Sequence, residues 1–531
     1  MNRSIIDYWR VLVLTAVFAL PIAGKAQDKD WKNEDLEKDT VFGISTTKAY
    51  GLLQGKKHRT VVVAVIDGGT DTAHEDLRDV LWVNPKEKPA NGVDDDHDGY
   101  IDDVHGWDFI GGKDSDVWHD NLEMVRLLRE EAPRYDSIKS VSISGPDSVG
   151  YARYLAMKKA YEQGLRRVEM TVNAIGRFKT IMDSMVIKMG KDSPTLGDWQ
   201  AFQPQSGGEQ RVREIMISSI QQGETYGSIV RDGIDAPLKH FEDELHYHYN
   251  MAYDPRPIVG DDYNDSRQRF YGNADVTGPD ALHGTHVAGI IAAERGNGKG
   301  VDGVADDVRL MILRVVPDGD ERDKDVANAI RFAADHGARV INMSFGKAYA
   351  KDKAAVDEAV KYALKKDVLL IQAAGNDGKD LDDSANPNFP NRIYADGSGV
   401  AGAWIVVGAS GWKNDSNLVA SFSNYGRRSV DVFAPGVQIY SCLPGSKYGF
   451  ESGTSMASPV VTGLAALIRE YHPKLRAQQV KDIILASVVK PGHPVYVGSG
   501  KDRRAVRMDE LCVTGGVVNA YKALEMAAGK K

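Results

Sequence analysis

The sequence predicts an α/β fold: a mainly parallel sheet covered by helices on both faces, with a helical insertion between its two parts. Three observations predict it. Residues 61–66 (VVVAVI) are a continuous, mostly β-branched run ending in Asp67-Gly68-Gly69, the mark of a strand buried on both faces. Similar runs recur at 308–316, 339–344, 368–374 and 405–409, with helical stretches near 324–336 and 353–366 between them, and this alternation builds parallel sheets. Residues 460–468 are apolar almost all the way round a helix, so they read as a buried central helix, entered from the small, loop-like Gly453-Thr454-Ser455.

Taken in order, residues 1–26 carry Arg3 and Arg10, a short apolar core and small residues at Gly24 and Ala26. This is the pattern of a cleaved secretory signal, and it predicts export to the periplasm or the exterior. Residues 27–59 are a polar lead-in whose Trp31, Phe42, Ile44 and Leu52 anchor it to a domain. With the strand and loop that follow, 27–115 form the first part of the main domain. Asp67 ends the strand, where open α/β sheets place their sites, although an aspartate there also serves a turn.

Asp94, Asp96 and Asp98 followed by Gly99 have the spacing of a calcium loop, with the Tyr100 carbonyl and Asp102 as further ligands. Position twelve of that loop is His105 instead of a bidentate glutamate, so the last ligand must come from elsewhere. A structural Ca2+ is expected, because carboxylates this crowded repel one another without a cation. From 116 to 255 the strand-like runs disappear. Leu165, Val168, Val172, Ile175, Phe178, Met182 and Met185 form one stripe of a long helix, and Val212, Ile215, Met216 and Ile220 form a second, shorter one. Residues 256–531 complete the α/β domain, and at 280–291 a loop carrying His283 and His286 opens an apolar helix.

Composition bounds the function. A chain of 531 residues, 42% hydrophobic and 27% charged, has ample material for a core. A net charge of -9 without a basic run excludes a nucleic-acid binder, and past residue 26 no stretch is long and apolar enough to span a membrane. Two cysteines, Cys442 and Cys512, make no disulfide scaffold, and whether they pair is left open by the sequence.

Asp67, His283, Asn376 and Ser455 stand at element ends and together supply the parts for acyl transfer: a hydroxyl, an imidazole base, a carboxylate to orient it and an amide to hold an oxyanion. The segments around them are VIDGG (65–69), HGTHVAG (283–289), AAGN (373–376) and GTSMASP (453–459), with FAPG at 433–436 and GVVNAY at 516–521. In these motifs and in their Asp, His, Ser order the sequence resembles the subtilisin-like serine peptidases, or subtilases.

The resemblance implies a three-layer α/β/α sandwich and a serine endopeptidase acting on polypeptides through an acyl-enzyme on Ser455. It further implies that His283 is the base, Asp67 its orienter, Asn376 the oxyanion donor and His286 structural. Ser344, Phe345 and Gly346 would line up the substrate backbone, and Ala373, Ala374 and Gly375 would shape the pocket beside the scissile bond. The chain departs from a minimal subtilase in the separation of 216 positions from Asp67 to His283, where the insertion lies, and in a lead-in short for a folding propeptide. A processing peptidase gated by the insertion, an insertion that recruits a partner, and an inert binding or adhesion protein on the same scaffold are the alternatives.

Overall fold

In the computed structural model the described residues are 28–137, 146–498, 500 and 503–530, so the expected signal segment lies outside them. Two compact units divide them. One comprises Gln27–Glu123 with Asp254–Lys531, and the other Met124–Tyr253.

The first unit is built on a seven-stranded sheet. Its strands are β1 (Val61–Asp67), β2 (Gly106–Asp108), β3 (Val308–Arg314), β4 (Val340–Met343), β5 (Leu369–Ala373), β6 (Trp404–Ser410) and β7 (Val432–Pro435), in the spatial order β2-β3-β1-β4-β5-β6-β7. Every pairing is parallel.

Alternation along the strands feeds two core layers. Val61, Val63 and Val65 of β1 face one layer, with the helices α1 (Leu282–Ala292) and α4 (Thr454–Tyr471). Ala64 and Ile66 face the other, with α2 (Asp323–Asp335) and α3 (Lys353–Lys365). The result is a three-layer α/β/α sandwich. Both faces are covered, which is why the strands read as unbroken apolar runs instead of alternating ones. The lead-in packs on it as expected, with Trp31, Phe42 and Ile44 at most 1% exposed. Strands β8 (Ile439–Leu443) and β9 (Lys447–Glu451) form an antiparallel hairpin that the sequence reading did not anticipate. Cys442 and Cys512 are both buried and free.

The second unit is helical. Its longest helix is Pro146–Met189, and Met182 and Met185 from it meet Trp199, Val212, Met216, Ile229 and Ile234 in a small core. The unit begins at Met124, not at 116. Residues 116–123 belong to the α/β unit, where Asn273 donates to Asp116 and Arg322 to Asp120. No helix among the described residues is long and apolar enough to cross a membrane.

Candidate active site

The strand order reverses direction around β1, and Asp67 stands at its carboxyl end, the switch point where α/β sheets leave a crevice. Asn376 follows β5 and Ser344 follows β4, so the loops at that same end of the sheet carry the polar groups.

Ser455 is the second residue of α4, where free backbone N–H groups and the helix dipole favour negative charge. Four residues on, Pro459 has no N–H to give the Ser455 carbonyl. The Ser344 hydroxyl takes that place and donates to Ser455 O at 2.9 Å. Asn342 Nδ2 donates to Ser344 Oγ at 3.0 Å, while Ser458 and Thr462 donate to Asn342 Oδ1. The Ser344 side chain is thus part of a buried network that seats the first turn of α4, and only its backbone is left for a substrate.

Asp67 is 2% exposed. Its Oδ1 accepts from the Gly68 N–H at 2.8 Å and from His283 Nδ1 at 2.7 Å. A carboxylate only accepts, so Nδ1 carries the proton and Nε2 is the basic atom of the neutral ring. Burial pulls the His283 pKa down, but the charge and hydrogen bond of Asp67, with Glu451 and Asp280 further out, hold it above its ordinary value. Behind Asp67, the buried Arg314 donates to Gly68 O at 2.9 Å, to Asp108 at 2.6 Å and to Val117 O, tying the end of β2 to two loops. His286 plays another part: it is buried, with Nε2 set against the carbonyls of Ile439 and Gly449, and burial lowers its pKa to about 4.

The expected line of three groups is complete at one joint and open at the other. Ser455 Oγ donates to Ser344 O at 3.0 Å, not to His283. The Ser344 carbonyl is the acceptor within reach of this rotamer. Catalytic hydrogen bonds are often long or misaligned until substrate is bound.

The Thr454 N–H and hydroxyl both donate to Asn376 Oδ1 at 2.9 Å, which fixes the amide's orientation. That cleft, about 330 Å³, is bordered by Ser455, Asn376, Ser344, Phe345, Gly346, Ala373 and Gly375. Ala374 is not among its walls. It is fully buried, and its carbonyl accepts from Asn424 at 2.9 Å. Lys347 is a wall residue that sequence reasoning missed: it is fully buried, with Nζ 2.9 Å from Glu123, 2.8 Å from Asp323 and 2.7 Å from the Glu321 carbonyl. Its partners lie far away in the chain, and no local signal marks them.

In the acidic loop, Asp94 accepts from the N–H groups of Asp98 and Gly99, as a calcium-loop turn requires. Tyr100 buries its ring against Trp107, Phe109 and Phe332. Asp102 accepts from the N–H groups of Asn91 and Gly92 at 3.0 and 2.8 Å. Asp98 accepts from His336 at 2.7 Å. Donor atoms converge in two sets, Glu87 with Asp94 and Asp96, and Asp96 with Asp98 and His336. Glu87 and His336 were not foreseen, because one lies upstream of the motif and the other more than two hundred residues downstream.

Residues 58–505 match the family described as the subtilase family. A thermophilic serine proteinase of Bacillus sp. (strain AK1) is 43% identical over 187 residues, 35% of this chain and 42% of that protein. Subtilisin BL of Lederbergia lenta is 36% identical over 219 residues, 41% of this chain and 74% of that protein. A solved protease structure from Pseudoalteromonas arctica is 27% identical, with a TM-score of 0.39, over 50% of this chain and 80% of that one. The chain thus spans less than half the length of the first of these relatives.

Proposed function

Because the chain belongs to the subtilase family, we propose that it is a serine endopeptidase that hydrolyses peptide bonds of polypeptide substrates through an acyl-enzyme on Ser455. The observation that carries this reading is the 2.7 Å bond between Asp67 and His283, at the end of the sheet where Asn376 is locked beside Ser455.

The chemistry follows from the placement. Substrate entering the cleft competes for the polar edge at Ser344, and the Ser455 hydroxyl turns to His283 Nε2. As Oγ attacks the scissile carbonyl, its proton passes to Nε2, and Asp67 stabilises the imidazolium without taking the proton. The oxyanion that forms lies at the N-terminus of α4, where Asn376 Nδ2 and the Ser455 N–H donate to it. The imidazolium then protonates the departing amine, and water repeats the sequence in reverse to free the acid. Ser344, Phe345 and Gly346 would pair with an extended substrate backbone, and Ala373 and Gly375 leave room for a side chain beside the scissile bond.

Export and a structural Ca2+ at the acidic loop belong to the same proposal. Export is supported by the signal-like residues 1–26, and calcium by oxygen donors that suit a hard cation. An active-site phosphonylating probe tests the enzyme reading. Labelling of the wild type that Ser455→Ala abolishes is the expected result. A folded wild type that never labels would leave the inert binding protein standing.

A further inference from the structure

The acidic loop contains more carboxylates than one ion can use, and the structure separates those already engaged from those that are not. Asp95 is held by Lys88 and Asn91, and Asp98 by His336 and the Tyr100 N–H. Asp94 and Asp102 each accept from two backbone N–H groups, but only Asp94 has an oxygen in a convergent set of donors. Glu87 is different. It lies seven residues before the first aspartate of the motif and is 7% exposed. Its Oε1 accepts from the N–H groups of Asp95 and Asp96 at 2.8 and 3.2 Å. Its Oε2 is buried with no hydrogen-bond partner, as are Oδ1 of Asp96, whose side chain is 4% exposed, and Oδ2 of Asp103, which instead lies 3.6 Å from His336 Nε2. Buried carboxylate oxygens without partners are costly and seldom retained without a compensating group.

The carboxylates of Glu87, Asp94 and Asp96 place one oxygen each within 4.8 Å of the others. Oxygens bound to a single Ca2+ at about 2.3–2.6 Å lie within about 5 Å of each other, so this spacing admits one ion shared by all three. The neighbouring set with His336 does not compete. Its Nδ1 bonds to the Phe332 carbonyl at 2.9 Å and its Nε2 to the Asp98 carboxylate at 2.7 Å. Both ring nitrogens are thus already engaged within the protein.

We propose that Glu87, from outside the motif, closes a calcium site with Asp94 and Asp96, supplying the ligand that the loop lacks at His105, and that Asp102 is not a ligand. The inference rests on the calcium reading above for the choice of ion, and the ligand set is its own. Three oxygen donors with no nitrogen or sulfur favour a hard cation over zinc or copper. Asp102 acts through the backbone, closing the 91–102 segment into a ring that presents the other carboxylates.

Equilibrium dialysis with Ca2+ tests the assignment on the full chain. Glu87→Gln keeps the oxygen that accepts from Asp95 and Asp96 but removes the charge, and is expected to bind one ion fewer, or to hold one at least tenfold more weakly. Asp102→Asn is expected to keep the wild-type count. If Asp102→Asn loses the ion and Glu87→Gln keeps it, the ligand set is overturned while the calcium loop stands. If the wild type binds no Ca2+, both fall. Melting temperatures guard against a folding artefact. In chelator Glu87→Gln should melt no lower than the wild type, since it relieves a buried repulsion. In Ca2+ it should melt lower. A variant that melts lower under both conditions to the same extent would refute the site.

Discussion

At the scale of single residues, His283 is held between opposing influences. Burial favours the neutral ring, and Asp67, then Glu451 and Asp280, favour the cation and prevail. The base must be neutral to take the Ser455 proton, so activity rises as pH climbs through this raised pKa. Stability runs the other way. The Asp67–imidazolium pair contributes fully below the pKa of an unfolded histidine and is lost as pH rises through the folded value. With the His283 side chain 44% exposed, solvent screens much of that contribution. The proposed peptidase should therefore be most active where this pair adds little to stability. Glu451, at the end of β9, is the charge that can be altered without touching the triad. His286 is neutral across this range, because burial keeps its pKa near 4, so it does not blur the comparison. Glu451→Gln should move the acid limb of kcat/KM for an uncharged peptide to lower pH and leave the plateau unchanged. A limb that stays in place would mean that the Glu451 charge is not felt at Nε2.

At the scale of elements, the start of α4 is the most exacting piece of the fold. Pro459 deprives the Ser455 carbonyl of its helical donor, and the Ser344 hydroxyl at the end of β4 replaces it. The nucleophile is positioned by the strand beside it as much as by its own helix. Ser344→Ala leaves the half-buried Ser455 carbonyl without this donor and the buried Asn342 Nδ2 without its acceptor, and should cost about 1–3 kcal/mol, read as a shift in urea midpoint, with kcat falling more than KM rises. A midpoint unchanged within error would remove Ser344 from this role.

The sequence revealed the elements unevenly. Strands β1, β3, β5 and β6 were legible because burial on both faces forces unbroken apolar runs, and Asp67, Asn376 and Ser455 because they directly follow or open such elements. β2 escaped notice because three residues carry no period. The β8–β9 hairpin did so because its exposed face breaks the apolar run. Arg314, Lys347 and Glu87 were invisible for a different reason. Each draws its role from partners that the chain brings close only after folding, and a charged residue in a strand or loop looks the same with or without them.

At the scale of the whole molecule, each unit has apolar packing of its own. Among the described residues, the two layers flanking the sheet are built from the α/β unit, and the cluster around Met182 and Met185 is drawn from within 124–253. The α/β unit also holds its own chain ends together where the insertion leaves it. Arg322 donates to Asp120 at 2.7 and 3.0 Å and to Asp254 at 3.3 Å, so one guanidinium spans the exit and the return. Closing a long loop costs little more than closing a short one, about 0.6 kcal/mol for each doubling of length, so the insertion's size is no burden on the sheet. Replacing 124–253 by about eight Gly/Ser residues, with a mean reach of about 16 Å, should therefore leave the α/β unit folded. The shortened protein is expected to unfold in one transition within about 5 °C of the wild-type α/β transition and to label at Ser455 with the phosphonylating probe. Cleavage of a peptide library by both forms then isolates the insertion's own work, since a difference confined to particular sequences would be selection and a uniform change would be access. A shortened protein that keeps its near-UV signal but no longer labels would show that the triad depends on the helical unit.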